Sequence, residues 1–234
     1  WNVTARNGTP FIKVFEEERE LTVYLLVDIS KSGEFGSQNQ LKQEFGAEIA
    51  SVLGFSAIKN NDKVGLILFS NDVDKYVVPK KGKSHVLRVI RELLYTAPKN
   101  KGTSLKNALD YLLKVAKRKS VVFLISDFID DNYWSSLKIA NRKHDLIGIR
   151  LFDPAEKLFP DLGVLKVKDP ESGSSFWIDT SSKREMEKLE SKIQSDFDAF
   201  QNKAKKIGFD IISVATDQDF VEPLISLFRK RDKR

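Results

Sequence analysis

The sequence predicts an α/β fold, namely a doubly wound, Rossmann-like and mostly parallel sheet with helices on both faces. Short runs of almost wholly apolar residues, typical of strands buried on both faces, recur along the chain. They alternate with longer segments whose apolar residues recur at helical spacing. One antiparallel edge strand and a small inserted β-hairpin complete the expected architecture.

The central strand is predicted at 21–27, LTVYLLV, where β-branched residues are interleaved with other apolar ones. The mixed segment 73–78 suits an antiparallel edge strand, and we expect Pro79 to end its pairing because proline lacks the N–H that a ladder uses. A hairpin is predicted within 163–180, around the turn sequence DPESG. Further buried strands are predicted at 64–69, 120–125, 145–152 and 209–214.

Amphipathic helices are predicted between these strands. Thr103 or Ser104 is the natural N-cap of the third helix, and Gly208 is expected just after the longest one. The apolar stripe of that longest helix, from Met186 to Ile207, is predicted to face the core because its opposite face is densely charged. The helices are expected at 41–57, 86–94, 105–116, 133–141, 186–207 and 220–228.

The length of 234 residues suits one large α/β domain and is short for two independent ones. We expect residues 1–20 to be the tail of a preceding β-rich region or a linker, 21–229 to form the α/β domain, and 230–234 to be a basic tail. The chain opens at Trp1 and not at methionine, so we expect it to be a piece of a longer protein.

Composition excludes several classes of function. No apolar run approaches the roughly 18 residues that cross a bilayer, and no signal peptide opens the chain, so we expect no membrane contact by this segment. The sequence has no cysteine, which excludes disulfides and thiolate metal sites and fits a reducing, cytoplasmic compartment. The formal charge of +6 is scattered over helix faces and the last residues, which does not favour binding of nucleic acid.

Polar side chains follow several predicted elements at one edge of the sheet. Asp28, Ser30 and Ser32 follow the first strand, Thr103 stands at the head of the third helix, and Asp127 follows the next strand. In open α/β sheets, ligands bind beyond the carboxyl ends of the central strands. Two carboxylates and three hydroxyls form an all-oxygen set that suits a hard divalent cation, Mg²⁺ with Mn²⁺ or Ca²⁺ as alternatives, and not zinc or copper.

Neutral hydroxyls leave more of the ion's positive charge uncompensated than a cage of carboxylates would. Such an ion should accept one more anionic ligand, for example a carboxylate from another molecule. The set therefore suits binding better than catalysis, and we expect this protein not to be an enzyme. A Mg²⁺-dependent phosphoryl or nucleotide hydrolase using the same loops is the alternative, although it lacks an evident general base.

The D-x-S-x-S pattern at 28–32, the Gly102-Thr103 pair and Asp127 after an apolar strand resemble the metal-ion-dependent adhesion site (MIDAS) of von Willebrand factor A (vWA) domains. The resemblance implies the vWA fold. It also implies that the serines and the threonine contact the metal, while the aspartates act directly or through water. Lys101 is a small departure, since a second glycine is frequent there, but the threonine itself is intact.

The segments WNVTAR at 1–6 and VFEEERELTV at 14–23, together with the DPESG hairpin, are similar to a bacterial family named domain of unknown function fifty-eight. That family is commonly encoded beside MoxR-type AAA+ ATPases. The resemblance implies a module that binds an acidic residue of such an ATPase, or of a client delivered to it for assembly or cofactor insertion. Relatives often carry an N-terminal membrane anchor, which implies a cytoplasmic location at the inner face of a membrane.

Other motifs carry less weight. Gly82-Lys83-Ser84 resembles the end of a phosphate-binding loop, but that motif needs glycine at position 77, which is valine. His85 and His144 are isolated from each other and from the polar loops, and no serine has both a histidine and an acid at recognisable positions, so a hydrolytic triad is not supported. Binding of an anionic polymer through the basic tail is a third hypothesis, and it predicts a salt-dependent affinity.

Overall fold

A computed structural model of the chain describes residues 20–34, 41–156, 162–168 and 174–231. Six strands form one sheet in the order β3-β2-β1-β4-β5-β8, and β6 and β7 form a separate two-stranded sheet. The strands are β1 (Thr22–Asp28), β2 (Lys63–Phe69), β3 (Val73–Lys80), β4 (Val121–Ser126), β5 (Asp145–Phe152), β6 (Val164–Lys168), β7 (Ser175–Asp179) and β8 (Asp210–Ala215).

Six α-helices and two short 3-10 helices lie in this described part of the chain. None of these helices combines the length and the apolar character that a bilayer span requires. The α-helices are α1 (Lys42–Lys59), α2 (Lys83–Tyr95), α3 (Leu105–Val115), α4 (Trp134–Lys143), α5 (Lys183–Lys206) and α6 (Val221–Arg231), and the 3-10 helices are Lys31–Glu34 and Pro154–Glu156.

The sheet is parallel except at one edge. β1 pairs in parallel with β2 and β4, β4 with β5, and β5 with β8, whereas β3 runs antiparallel to β2. β6 and β7 pair antiparallel, as expected for the inserted hairpin. The predicted fold class is therefore confirmed, and the carboxyl ends of the parallel strands lie along a single edge of the sheet.

Alternate residues of β1 pack into two different cores, because successive side chains of a strand point to opposite faces. Val23, Leu25 and Val27 pack in one core with residues of α1, α2 and α6. Tyr24 and Leu26 pack in the other core with residues of α3, α4 and α5. Burial on both faces explains why the strand is apolar along its whole length and does not alternate with polar residues.

The expectation that Pro79 ends the pairing of the edge strand is wrong. β3 continues to Lys80, which pairs with Val64, and the register shifts by one residue before Leu66 pairs with Val77. An edge strand tolerates proline at such an irregularity because one side of its backbone needs no partner strand. A Cβ at Gly65 would lie only 2.7 Å from the Cγ of Pro79, so the close approach of the two strands requires glycine there.

The predicted core stripe of α5 is buried only in part. Ala204, near its C-terminal end, is 1% exposed, and Phe200 packs against the second core. Met186 and Ile193, on the same stripe, are half-buried and lie in neither core as the described residues define them. The prediction that the whole stripe faces the core is therefore wrong for its first half, because the helix extends beyond the sheet that it covers.

The last helix extends to Arg231, two residues into the segment expected to be a basic tail. The guanidinium of Arg231 pairs with Asp145, at the start of β5, and with Asp210, at the start of β8. These two carboxylates hold the final turn of α6 against the amino-terminal edge of the sheet, which is opposite to the edge where the polar loops lie.

Leu66, in β2, is completely buried, whereas Leu94, on α2, is 58% exposed. We expect Leu66→Ala to lower the free energy of unfolding by about 2–5 kcal/mol, because the change leaves a cavity in a close-packed core. The same change at Leu94 should cost about 0.5 kcal/mol or less. Urea unfolding followed by circular dichroism measures both values, and equal losses would contradict the assignment of Leu66 to the core.

Candidate metal centre

The end of β1 and the turn after it hold three of the predicted site residues together. Asp28 closes the strand, and its Oδ1 accepts a hydrogen bond from the N–H of Ser30 at 2.9 Å. The hydroxyl oxygens of Ser30 and Ser32 lie 2.9 Å apart. The N–H of Gly33 donates to the carbonyl of Ser30 at 3.0 Å, which closes the turn. The polar atoms of the D-x-S-x-S pattern therefore share one compact turn.

The pairing of β1 with β4 brings Asp127 close to Asp28. Val27 pairs with Ile125, so the residues that follow them are neighbours. The hydroxyl of Ser126 donates to Oδ2 of Asp28 at 2.7 Å, and Asp127 comes directly after Ser126. The two carboxylates are near enough for the charge of Asp127 to act on Asp28. Sequence reasoning missed Ser126, whose hydroxyl links the two strand ends.

Thr103 lies at the same edge of the sheet. The next residue, Ser104, donates its N–H to the carbonyl of Ser70, directly after β2, at 2.9 Å. Ile29, after β1, donates its N–H to the carbonyl of Phe69 at the end of β2, at 2.8 Å. The loops that follow β1 and β2 and the loop that precedes α3 therefore adjoin, as the order of the strands predicts.

Two side chains from different loops cap the first turn of α3. The Oγ of Ser104 accepts the N–H of Asn107 at 3.3 Å, so Ser104 is the N-cap and Thr103 precedes it. Oδ2 of Asp130, from the loop after β4, accepts the N–H of Leu105 at 2.9 Å. This second bond ties the loop that carries Asp127 to the loop that carries Thr103, and it fixes their relative position.

The turn after β1, the end of β4 with Asp127, and the start of α1 line a cavity of about 20 Å³, which is enough for one water-sized species; neither Ser30 nor Thr103 is part of its lining. Among the described residues, no three His, Cys, Asp or Glu side chains come together in a way that could hold a metal, so a cation here would also need the hydroxyls. The oxygen donors fit one hard divalent cation that retains waters. The lining consists of Asp28, Ser32, Gly33, Lys42, Gln43, Ser126, Asp127 and Leu151.

Burial and then the charge of Asp127 raise the pKa of Asp28 from 3.8 to about 7. Hydrogen bonds from Ser30 and Ser126 act in the opposite direction, because they stabilise the ionised carboxylate. Two neighbouring carboxylates that are costly to ionise together are a common feature of functional sites. A divalent cation between them would favour the ionised form of both.

A buried lysine also lies in this site. Lys42, the first residue of α1, is 4% exposed, and its ammonium lies 3.2 Å from Oδ2 of Asp127 and 2.7 Å from Oε1 of Glu156. Burial by itself lowers the pKa of Lys42, but the two carboxylates outweigh burial and raise the pKa above its usual value. Lys42 is therefore a fixed cation beside one of the predicted metal ligands.

Sequence reasoning missed Lys42 and Glu156, although a signal for Lys42 was present. Lys42 shares the spacing of Phe45 and Ile49, which are buried on the inner face of α1, whereas Leu41 is 37% exposed. A charged residue at a core position of a helix needs a buried partner, and this requirement could have identified it. Glu156, in the 3-10 helix after β5, has no comparable sequence signal.

The backbone after Asp127 adopts an uncommon conformation. Phe128 has a φ of +62°, which is rare for a bulky residue and costs about 1–3 kcal/mol. Its ring is buried against three aromatic rings of the second core. In this turn the N–H of Phe128 donates to the Oγ of Ser126 at 3.1 Å, and the N–H of Ile129 donates to Oδ1 of Asp127 at 3.2 Å. Strain of this kind concentrates at functional sites.

Comparison with known proteins gives a family and a fold. The family model "Protein of unknown function DUF58" matches residues 1–196. The uncharacterized protein Rv1480 of Mycobacterium tuberculosis is 25% identical over 236 residues, which cover 99% of this chain and 74% of that protein.

Two solved structures share the fold over 92% of this chain and 100% of their own, each at 16% identity. An aerotolerance-related membrane protein from Bacteroides fragilis aligns with a TM-score of 0.61. The conserved hypothetical protein BatB from Bacteroides thetaiotaomicron aligns with a TM-score of 0.58. At such identities the likeness shows the α/β fold alone.

The raised pKa of Asp28 predicts a pH dependence of stability in EDTA. Because folding raises this pKa from 3.8 to about 7, the contribution of Asp28 to stability is complete below pH 3.8 and is lost as the pH rises through 7. Asp28→Asn cannot ionise. We therefore expect wild type to lose more unfolding free energy than Asp28→Asn between pH 4 and pH 8. Urea unfolding across that range measures the difference, and a constant difference would refute the prediction.

Proposed function

We propose that this chain, which belongs to the family described as Protein of unknown function DUF58, is a metal-dependent protein-interaction module with a vWA-like fold. In this proposal one Mg²⁺ ion, or Mn²⁺ or Ca²⁺ in its place, is held at the carboxyl edge of the sheet. An acidic side chain of a partner protein completes its coordination. The proposed ligands are Asp28, Ser30, Ser32, Thr103 and Asp127.

The observation that carries the proposal is the convergence of Asp28 and Asp127 on one cavity of single-ion size. Ser32 lines that cavity, the hydroxyl of Ser30 is within hydrogen-bond distance of that of Ser32, and the loop of Thr103 lies at the same edge of the sheet, next to the loop after β2. Oxygen donors at adjacent strand ends match what a hard divalent cation requires. The size of the cavity, about 20 Å³, supports an ion and not a nucleotide.

An open coordination position on the ion suits an anionic partner. The carboxylates of Asp28 and Asp127 could neutralise a divalent cation, but the ammonium of Lys42 already compensates part of the charge of Asp127. The ion and Lys42 together would carry three positive charges, which the carboxylates of Asp28, Asp127 and Glu156 balance, so we propose that a partner's carboxylate binds at an open coordination position of the ion and not through a net positive charge of the centre. Ile129, two residues beyond Asp127, is 63% exposed and offers an apolar contact at the rim of the site.

A binding role accounts for the cavity better than catalysis does. The basic side chain at the cavity, Lys42, is held by Asp127 and Glu156, and its raised pKa makes it a poor proton acceptor. We therefore propose that the protein is not an enzyme. The alternative, a Mg²⁺-dependent hydrolase using the same loops, predicts turnover of generic phosphate esters that disappears in Asp28→Ala.

The proposed partner is a MoxR-type AAA+ ATPase, or a client that such an ATPase assembles or loads with a cofactor. This step rests on the family resemblance and not on a contact in the structure. We propose that the module works in the cytoplasm, at the inner face of a membrane.

Calorimetric titration of Mg²⁺ tests the metal site. We expect wild type to bind one Mg²⁺, and Asp28→Ala and Thr103→Ala to bind it at least about tenfold more weakly, because each change removes an oxygen ligand. Ser104→Ala is the matched control for Thr103→Ala. It should cost about 1 kcal/mol of stability through the lost helix cap and still bind Mg²⁺. If Thr103→Ala binds Mg²⁺ as tightly as wild type does, Thr103 is not a ligand of the metal.

Capture of a purified MoxR-type ATPase from the same organism tests the partner. We expect immobilised wild type to retain the ATPase in Mg²⁺ and to lose it in EDTA, because the ion links the two proteins. Asp28→Ala should lose it in both conditions. Asp131→Ala, at an exposed carboxylate of the loop after β4, should retain it. If the amount of ATPase retained changes neither in EDTA nor in Asp28→Ala, the result counts against a metal-linked interaction.

A further inference from the structure

The ammonium of Lys42 is shared unequally between two carboxylates. Its Nζ lies 2.7 Å from Glu156 and 3.2 Å from Asp127. The shorter contact is at the strong end of the range for a charge-assisted hydrogen bond. The side chains of Lys42 and Asp127 are each 5% exposed, and that of Glu156 is 26% exposed. Lys42 is thus a cation that the fold encloses, and Glu156 holds it more closely than Asp127 does.

Lys42 contacts the oxygen of Asp127 that would otherwise be open to a metal. Oδ1 of Asp127 already accepts the N–H of Ile129, and Oδ2 faces the ammonium of Lys42. A cation that binds Asp127 through Oδ2 must therefore displace the ammonium or share this oxygen with it. The oxygens of Asp28 accept hydrogen bonds from neutral donors, the N–H of Ser30 and the hydroxyl of Ser126, whereas Asp127 faces the ammonium of Lys42.

Neither Lys42 nor Glu156 belongs to the D-x-S-x-S pattern or to the loops of Thr103 and Asp127. Lys42 comes from the first turn of α1, and Glu156 from the 3-10 helix after β5. Lys42 nevertheless lines the same cavity as Asp28 and Asp127. Two cations in one partly buried cavity repel each other more strongly than they would in water, so the charge of Lys42 must act on any divalent ion bound there.

We propose that Lys42 is a built-in competing cation that lowers the affinity of the centre for its divalent ion, with Glu156 setting the strength of the competition. This inference rests on the proposed metal site. When Glu156 holds the ammonium, Oδ2 of Asp127 is available to the ion, and when the ammonium turns to Asp127, the ion loses that ligand. A partner's carboxylate, added to the ion, would shift this balance and couple metal binding to partner binding.

Two single substitutions should change Mg²⁺ affinity in opposite directions. Lys42→Met keeps a long side chain but removes the charge, and we expect the Kd for Mg²⁺ to fall about tenfold because the repulsion is lost. Glu156→Gln removes the charge that attracts the ammonium of Lys42 away from Asp127. The ammonium then pairs with Asp127 and competes more strongly with the ion, so we expect the Kd for Mg²⁺ to rise about tenfold. Calorimetric titration of Mg²⁺ into the full chain measures both.

A thermal readout and a matched control keep the test independent of folding defects. The rise in Tm on adding saturating Mg²⁺ should be larger in Lys42→Met than in wild type, because tighter binding stabilises the folded state more. Lys106→Met removes an exposed lysine that pairs with Asp110 at 2.7 Å, and it should leave the Kd for Mg²⁺ unchanged. Lys42→Gln, which keeps a hydrogen-bond donor without the charge, replaces Lys42→Met if the latter fails to fold, with the same expectation.

The outcomes separate this inference from the function on which it rests. If folded wild type and all variants bind no Mg²⁺, the proposed metal site is wrong and the inference falls with it. If wild type binds Mg²⁺ and neither folded Lys42 variant binds it more tightly, the inference alone is overturned. If both Lys42→Met and Glu156→Gln weaken binding, Lys42 is a positioning residue for Asp127 and not a competitor.

Discussion

The parallel pairing of β1 with β2 and with β4 is the constraint on which the rest of the structure depends. Parallel strands end at the same edge, so the turn after Asp28 meets Ser126 and Asp127 on one side and the loop of Ser70 on the other. Burial of β1 in two cores fixes its register, because a slip of one residue would exchange its two faces. The apolar residues that stabilise the fold therefore also position the carboxylates of the candidate site.

Side chains outside the motif give this edge its electrostatic character. Ser126 stabilises the ionised form of Asp28, whereas burial and Asp127 oppose it, and Lys42 compensates Asp127. Glu156 in turn holds Lys42. Buried charges persist in proteins when they are paired, and here the pairing forms a chain that extends from α1 to the loop after β5. The charge at the cavity is therefore a property of several elements and not of the motif alone.

The loops after β5 and β8 extend this arrangement along the sheet. Asp153, which is completely buried, accepts the N–H of Ala155 at 2.9 Å and the hydroxyl of Thr216 at 3.0 Å. These two bonds hold the 3-10 helix that presents Glu156 to Lys42. The hydrogen bond between Asp153, after β5, and Thr216, after β8, thus helps to place the carboxylate of Glu156 beside Lys42. Phe128 likewise acts on the site from a distance. Its ring is buried among aromatic rings of the second core, and its backbone, with a φ of +62°, shapes the turn that follows Asp127.

The sequence by itself determined the fold class and most element boundaries to within a few residues, whereas the metal ligands that it indicates remain a prediction. The spacing of apolar residues and the points where strands end can be read from short stretches of sequence. Because parallel strands end at the same edge of a sheet, this information suffices to place Asp28 and Asp127 at one edge. Only the tertiary structure decided that Pro79 stays within β3, that the first half of α5 lies beyond both cores, and that Lys42 and Glu156 join the site. Each of these depends on contacts between residues distant in the chain, and the local pattern around a residue does not specify which distant side chain it will meet.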